Sequence, residues 1–402
     1  MIDLNKINIS DFDYNLPNNK IAKFPVNNRD KSSLLVWKNN KTEKHIFSDI
    51  YKFIPKDTIL FFNNTKVIHA RLLFNKETGA KIEIFCLEPV IPSDYNLAFQ
   101  QSKKVSWKCF IGNSKKWKTN NLHKKISINN INFTLTAKKI NKTDNSTIIE
   151  FSWDNNNFTF SDILDNLGKI PIPPYLNRES ENSDLTNYQT TYSKIKGSVA
   201  APTAGLHFTN KTFVDLKNKN IKTDEITLHV GAGTFKPVSS DKIIEHNMHT
   251  EHFYISVENI TNLINNINKI FAVGTTTVRT IESLYFIGLK LHNKIENPFY
   301  IKQWEAYNIK KNISPSQSLQ QILNYLKNNN LKNIEAKTQI IILPGYKFNF
   351  ISGLITNFHQ PKSTLLLLIS AFVGKNWKKI YNFAIDNNFR FLSYGDSSLL
   401  IP

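Results

Sequence analysis

The chain has 402 residues, of which 41% are hydrophobic. That is enough for a substantial core and is expected to make two domains, one domain taking roughly 100–200 residues. Its formal charge of +19, from 51 basic and 32 acidic residues, points to a polyanionic partner, nucleic acid first, although Lys, Asn, Ile and Phe, which dominate the chain, all have A/T-rich codons and give lysine a second source.

From the N-terminus, MIDLNKINISDFDYNLP lacks a basic segment followed by an apolar one, so no secretory signal is expected. The lead segment ends in a strand near 58–62 and the turn Asn63-Asn64. Between 66 and 157, β-like runs at 81–87, 105–111, 131–137 and 147–153 alternate with Lys/Asn-rich connections such as 113–125, the pattern of a small antiparallel barrel or sandwich. Cys86 and Cys109 fall here; they are too few for a disulfide framework or a cysteine zinc site, and a reducing cytoplasm is expected. After Phe158 strands and helices alternate. Ser161 is expected to cap a helix that stops at Gly168, and Thr209 one that runs toward Asn220. Strands are expected at 225–230, 270–273, 339–343 and 389–392, and helices at 276–286, 364–373 and 377–386, with 308–318 a surface loop. The alternation is that of an α/β architecture, and an all-β piece inside it reads as an inserted domain. No apolar run reaches the ~18 residues of a membrane span; 365–373 is a buried helix by length.

Several short stretches carry polar groups on backbones that ligands can approach. In Gly197 to Thr209, small residues surround Thr203 and His207, and no G-x-S-x-G nucleophile pattern is present. In Leu228-His229-Val230-Gly231-Ala232-Gly233-Thr234-Phe235, a strand runs into a glycine turn whose N–H groups suit a carboxylate, phosphate or ribose. Gly274-Thr275-Thr276-Thr277-Val278-Arg279 repeats that logic, with Arg279 as a carboxylate clamp. Neither is a dinucleotide fingerprint or a P-loop, and together they favour a nucleoside ligand over ATP. His246, His249 and His252 tempt a metal reading. A strand from 251, however, places His249 and Glu251 on one face and His252 on the other, so a catalytic or substrate-orienting His249/Glu251 pair is expected and no metal. Asn357, His359 and Lys362 precede a helix start capped by Ser363. Tyr394 lies between Arg390 and Asp396 and suits base stacking or the core. Only five arginines occur, Arg29, Arg71, Arg178, Arg279 and Arg390, and their scarcity ranks them as sites for a bidentate donor.

In their order along the chain, YNLPNNKIAKFPVNNRDKSSLLV, NNTKVIHARL, GKIPIPPYLNR, YQTTYSKIKGSVAAPTAGLHFT, LHVGAGTFKPV, MHTEHFYI, VGTTTVRTIES, LPGYKFNFISGLITNFHQPKSTLLLLISAF and RFLSYGDSSLLI closely resemble the S-adenosylmethionine:tRNA ribosyltransferase-isomerase family of queuosine biosynthesis. All five arginines lie in these stretches. His252 stands where the family has tryptophan, and Ser397-Ser398 where it has Ala-Met. The resemblance implies a barrel-like α/β catalytic domain (1–65 and 158–402) with an inserted small antiparallel β-barrel (66–157). It implies S-adenosyl-L-methionine as cosubstrate. It also implies a tRNA partner with a GUN anticodon whose wobble base is 7-aminomethyl-7-deazaguanine, and release of adenine and methionine as epoxyqueuosine-tRNA forms. On this reading Thr203, Gly231, Gly233, Thr234, Gly274, Thr275 and Arg279 hold the donor. Arg29, Arg71, Arg178, Asn357, His359, Arg390, Tyr394 and Asp396 hold the substrate. Proton work falls to His207, His229, His249 and Glu251, with the base left open among these and the acceptor amine. A cytoplasmic monomer without membrane attachment is expected.

Overall fold

Runs of β-branched and aromatic residues buried on both faces make the centre of a large sheet: in Ile59–Asn63 and Ile270–Val273 every residue is buried. The computed structural model describes residues 4, 7–76, 78–118, 121–143, 146–231, 233 and 240–402. In sheet order the ten strands are Tyr300–Ile301, Asn333–Thr338, Glu251–Ser256, Lys222–His229, Ile59–Asn63, Ile270–Val273, Ile351–Asn357, Ser397–Ile401, Ser33–Lys38 and Lys41–Ile46. Lys222–His229, Ile59–Asn63, Ile270–Val273 and Ile351–Asn357 run parallel to one another. Their carboxyl ends, at His229, Asn63, Val273 and Asn357, therefore share one edge, where open α/β sheets commonly bind ligands. Helix Thr275–His292, buried along nearly its whole length, leaves that edge directly from Ile270–Val273 and packs against helix Pro315–Asn328.

Residues 71–153 form a second, six-stranded antiparallel sheet, in the order Arg71–Asn75, Lys81–Ile91, Lys104–Gly112, Thr147–Trp153, Ile131–Lys142 and Leu122–Ile128. It nearly closes: from the last strand, Lys124 Nζ donates to Leu73 O of the first at 2.8 Å. Trp107, Phe151 and Phe160 pack inside it. The molecule is thus a mixed α/β protein with a large sheet and a nearly closed antiparallel barrel.

Several elements differ from the sequence reading. The strand expected at 339–343 lies earlier, at Asn333–Thr338; the apolar run Ile340 to Leu343 is buried without pairing in a strand. At 389–392 there is only one bridge, Phe391 to Ile21, and the last strand is Ser397–Ile401, parallel to Ser33–Lys38. The helix expected behind Ser161 is capped by Thr159 through a capping box with Asp162, and ends at Gly168 as expected. The loop expected over 308–318 gives way to helix Pro315–Asn328, which starts on Ser314 and Gln317 with proline in its first turn.

Candidate active site

A cavity of about 1980 Å³ opens along the carboxyl edge of the parallel strands and continues onto the small barrel. Its wall includes Pro202, Thr203, Ala204, His229, Gly231, Gly233, His249, Gly274, Thr275, Arg279, Asn357 and His359, and on the barrel side Tyr95, Phe110 and Ser146. Gly274 stands at the switch from strand to helix with φ +94°, a conformation that a side chain rarely adopts. The first N–H groups of helix Thr275–His292 thereby reach the wall with no side-chain cap. Ser363 caps the second helix at this wall, Thr364–Val373, as the sequence indicates. Helix starts carry partial positive charge and favour an anionic group.

Glu251 opens the strand Glu251–Ser256 and points inward, while His252 and Tyr254 take the other face. Its carboxylate accepts from Arg279 Nη1 at 2.6 Å and from His249 Nε2 at 3.1 Å. Burial pushes the Glu251 carboxyl up, but Arg279, His249 and the Gly231 N–H together hold it below its ordinary value, so it stays ionised. Arg279 also donates Nε to Ile340 O at 3.0 Å, while Nη2 is buried with no partner among the described residues. His249 keeps a ring edge toward the cavity. Gly233 makes room for it: a Cβ there would lie 2.2 Å from His249 Nδ1. Gly231 thus supports Glu251 and Gly233 leaves room for His249. Thr234 lies outside the described residues.

The other histidines are held differently. His229 lies against the Tyr95 ring (centroids 4.2 Å apart), where the large sheet meets the barrel, and burial pushes it down to about 3. His207 is bonded to Ser32 Oγ at 2.8 Å and to Asn357 Nδ2 at 3.3 Å. Burial, then the charge of Arg390, pushes it down to about 3. It stands behind Asn357 and is not part of the cavity wall. Asn357 lines the wall with its Oδ1 buried and without a partner among the described residues.

A family model described as "Queuosine biosynthesis protein" matches residues 9–400. The chain belongs to the queuosine biosynthesis family. A relative from Aliarcobacter butzleri, named S-adenosylmethionine:tRNA ribosyltransferase-isomerase, is 35% identical, the match covering 99% of this chain and 100% of the relative. One of the same name from Sulfurihydrogenibium is 36% identical over 98% of this chain and 99% of its own. A solved S-adenosylmethionine tRNA ribosyltransferase from Thermotoga maritima is 26% identical, covers 98% of this chain and 100% of its own, and gives a TM-score of 0.46.

Within this queuosine-family chain, the site residues expected from sequence fall into two groups. Thr203, Gly231, Gly233, Gly274, Thr275, Arg279, His229, His249, Asn357 and His359 line the cavity, and Glu251 lies one bond behind it. The remaining expected substrate residues are turned to internal contacts. Arg29 donates to Gln189 O and Thr186 O, Arg71 pairs with Glu83, and Arg390 pairs with Asp396. Arg178 forms a two-pronged bond to buried Asp184, both arms at 2.7 Å. Tyr394 donates to the same Asp184 at 2.6 Å and is buried edge-on to Tyr188, so its ring is not offered to a base. Of these arginines Arg178 makes a two-pronged bond to a carboxylate, whereas Arg71 reaches Glu83 through Nη1 alone, and the acceptors of all four belong to the protein. Sequence reasoning missed Tyr95, Tyr175 and Ser393. Of these, Tyr95 had a visible signal, Asp94 as cap of the helix Tyr95–Gln100, whereas the bond from Tyr175 to Ser393 spans 218 positions and had none.

Proposed function

We propose that this chain transfers and isomerises the ribosyl moiety of S-adenosylmethionine onto 7-aminomethyl-7-deazaguanine at the wobble position of tRNAs with a GUN anticodon, giving epoxyqueuosine-tRNA, adenine and methionine. Family membership fixes the class, a transferase of queuosine biosynthesis. One observation carries the site: the open start of helix Thr275–His292 stands beside the His249–Glu251–Arg279 chain in a single cavity. On this reading the donor's carboxylate sits at the helix start, where N–H groups and Arg279 Nη2, without a partner among the described residues, supply donors. Its ribose and adenine lie along the small-residue wall from Ala200 to Ala204.

The sulfonium acidifies C5′ of the donor. His249 takes that proton, with Glu251 orienting the ring and stabilising its charged form. His229 is too weak a base after burial, and His207 does not reach the cavity. Adenine leaves from C1′ with a proton on its ring. The electron pair freed at C5′ breaks the C4′–O4′ bond, so that C1′ becomes an aldehyde as adenine is lost. The acceptor amine adds to C4′ and gives up a proton, and the renewed C5′ carbanion closes a carbon–carbon bond onto C1′. The C1′ oxygen then displaces methionine, which departs from C5′ with the electron pair of the C–S bond, to form the epoxide. Placement of donor and acceptor supplies much of the rate, and no metal enters the scheme. The same reading takes 66–157 as a domain inserted between 1–65 and 158–402, and a monomer as the working unit.

The test is incubation with S-adenosylmethionine and tRNA bearing the deazaguanine precursor. Adenine and methionine should appear in equal amounts, and only with that tRNA. S-adenosylhomocysteine instead would make the protein a methyltransferase, and release with tRNA lacking the precursor would remove the assigned acceptor.

A further inference from the structure

Basic residues over most of the chain are mixed with acidic ones, but the stretch 113–143 holds eight lysines and no aspartate or glutamate. It forms the turn Ser114–Lys116 and the strands Leu122–Ile128 and Ile131–Lys142 of the small barrel. Contacts gather much of this charge at one barrel end. Lys76 Nζ donates to Lys116 O at 3.0 Å. Lys139 Nζ donates to Trp117 O and lies 4.5 Å over the Trp117 ring. Burial, and then the charge of Lys142, pushes the Lys139 amine below its ordinary value, which puts the two charges close together. Lys115, Lys116, Lys118 and Lys142 are exposed.

Two cations elsewhere on the barrel are neutralised, Arg71 by Glu83 and Lys108 by Glu88. Among the described residues none of the six lysines at this end meets a carboxylate within ion-pair distance. Like charges held together without counter-charge cost stability. Codon drift accounts for lysine in general, but not for its collection at one end of one sheet. This end also adjoins the cavity. Thr143, next to Lys142, donates its hydroxyl to Ser146 O, and Ser146 and Phe110 are cavity wall.

We propose that the lysine end of the barrel is a docking surface for the phosphate backbone of a folded RNA, gripping its stem while an unstacked base enters the adjoining cavity. The proposal rests on the tRNA reading above and adds the surface. An RNA stem suits it because backbone neutralisation needs exposed, mobile ammonium groups, whereas readout of a single strand would need exposed aromatic platforms, and Trp117 is buried beneath Lys139.

The experiment measures tRNA binding to the full chain by fluorescence anisotropy over a series of KCl concentrations, without S-adenosylmethionine. The barrel triple Lys115→Gln, Lys116→Gln, Lys118→Gln is compared with a triple of equal charge change on another exposed surface, Lys211→Gln, Lys217→Gln, Lys219→Gln. The barrel triple is expected to bind about 10-fold or more weakly. Its plot of log affinity against log salt should be shallower by roughly 2, at roughly 0.7–0.9 per lost phosphate contact, with the other triple unchanged. Equal losses in both triples, or none in the barrel triple, would overturn the proposal. Should the barrel triple melt early, Lys118→Gln alone must still lose roughly one contact's worth of slope. Failure of the functional reading shows separately, as absent adenine release by a protein that still binds tRNA through this surface.

Discussion

Glu251 sits between Arg279, the His249 ring and one backbone N–H, with no contact to solvent, and this fixes what its replacement does. Glu251→Gln keeps the shape but leaves Arg279 as an uncompensated buried charge, a change that typically costs ~3–5 kcal/mol, so thermal melting should fall by several degrees. His249 loses its orienting anion in the same variant, and adenine release should drop with it. Arg279→Lys tests the neighbouring role. A single ammonium cannot serve Glu251, Ile340 O and a ligand in one plane. Donor affinity, read by calorimetry with S-adenosylmethionine, should weaken by ~1–3 kcal/mol. His249→Ala should cut turnover ~10²–10⁴-fold with donor affinity little changed. His207→Ala should act mainly on stability, because its ring bonds Ser32 and Asn357 behind the cavity wall. A turnover loss from His207→Ala equal to that of His249→Ala, at unchanged melting temperature, would reassign the proton carrier.

Gly233, beyond the end of Lys222–His229, gives the His249 ring its seat. Gly233→Ala sets a methyl group against the His249 ring, and should lower turnover well before it lowers tRNA affinity; the reverse order would make the turn part of the RNA wall. Sequence made several such elements legible. The caps at Thr209 and Ser363, the glycine at 274 and four of the six barrel strands follow from hydroxyl caps, a single glycine and period-two burial. The rest was hidden for physical reasons. Leu122–Ile128 alternates buried and exposed positions in the second strand-forming half of a lysine-rich stretch, so charge masks its period. Helices Val257–Asn265 and Pro315–Asn328 begin on boxes closed by Asn259 and Gln317, and their polar first turns read as loop. Ile340 to Leu343 is apolar because it packs in the core, not because it pairs in a strand.

At the scale of the molecule, the His249/Glu251 pair could be read from two-residue spacing, but the partners of the arginines could not. Arg29 reaches 160 positions along the chain to Gln189 O, and local pattern carries no trace of that. Long-range burial also sets how the protein responds to acid. Burial pushes His207, His229 and His359 each from 6.5 to about 3. Between those values the unfolded chain binds protons that the folded chain refuses, so stability rises with pH. Their contribution is complete above pH 6.5 and is lost as pH falls toward 3. At pH 5 each ring costs roughly 2 kcal/mol, from about 1.4 kcal/mol per unit over 1.5 units. Glu251, held below its ordinary value, keeps its charge over most of this window and adds to the loss only at its acid end. Melting temperature should therefore fall steadily from pH 7 to pH 5. His359→Gln removes one titrating ring and should flatten that slope by about a third, even where it lowers stability at pH 7. An unchanged slope would mean that His359 already takes up its proton in the folded protein.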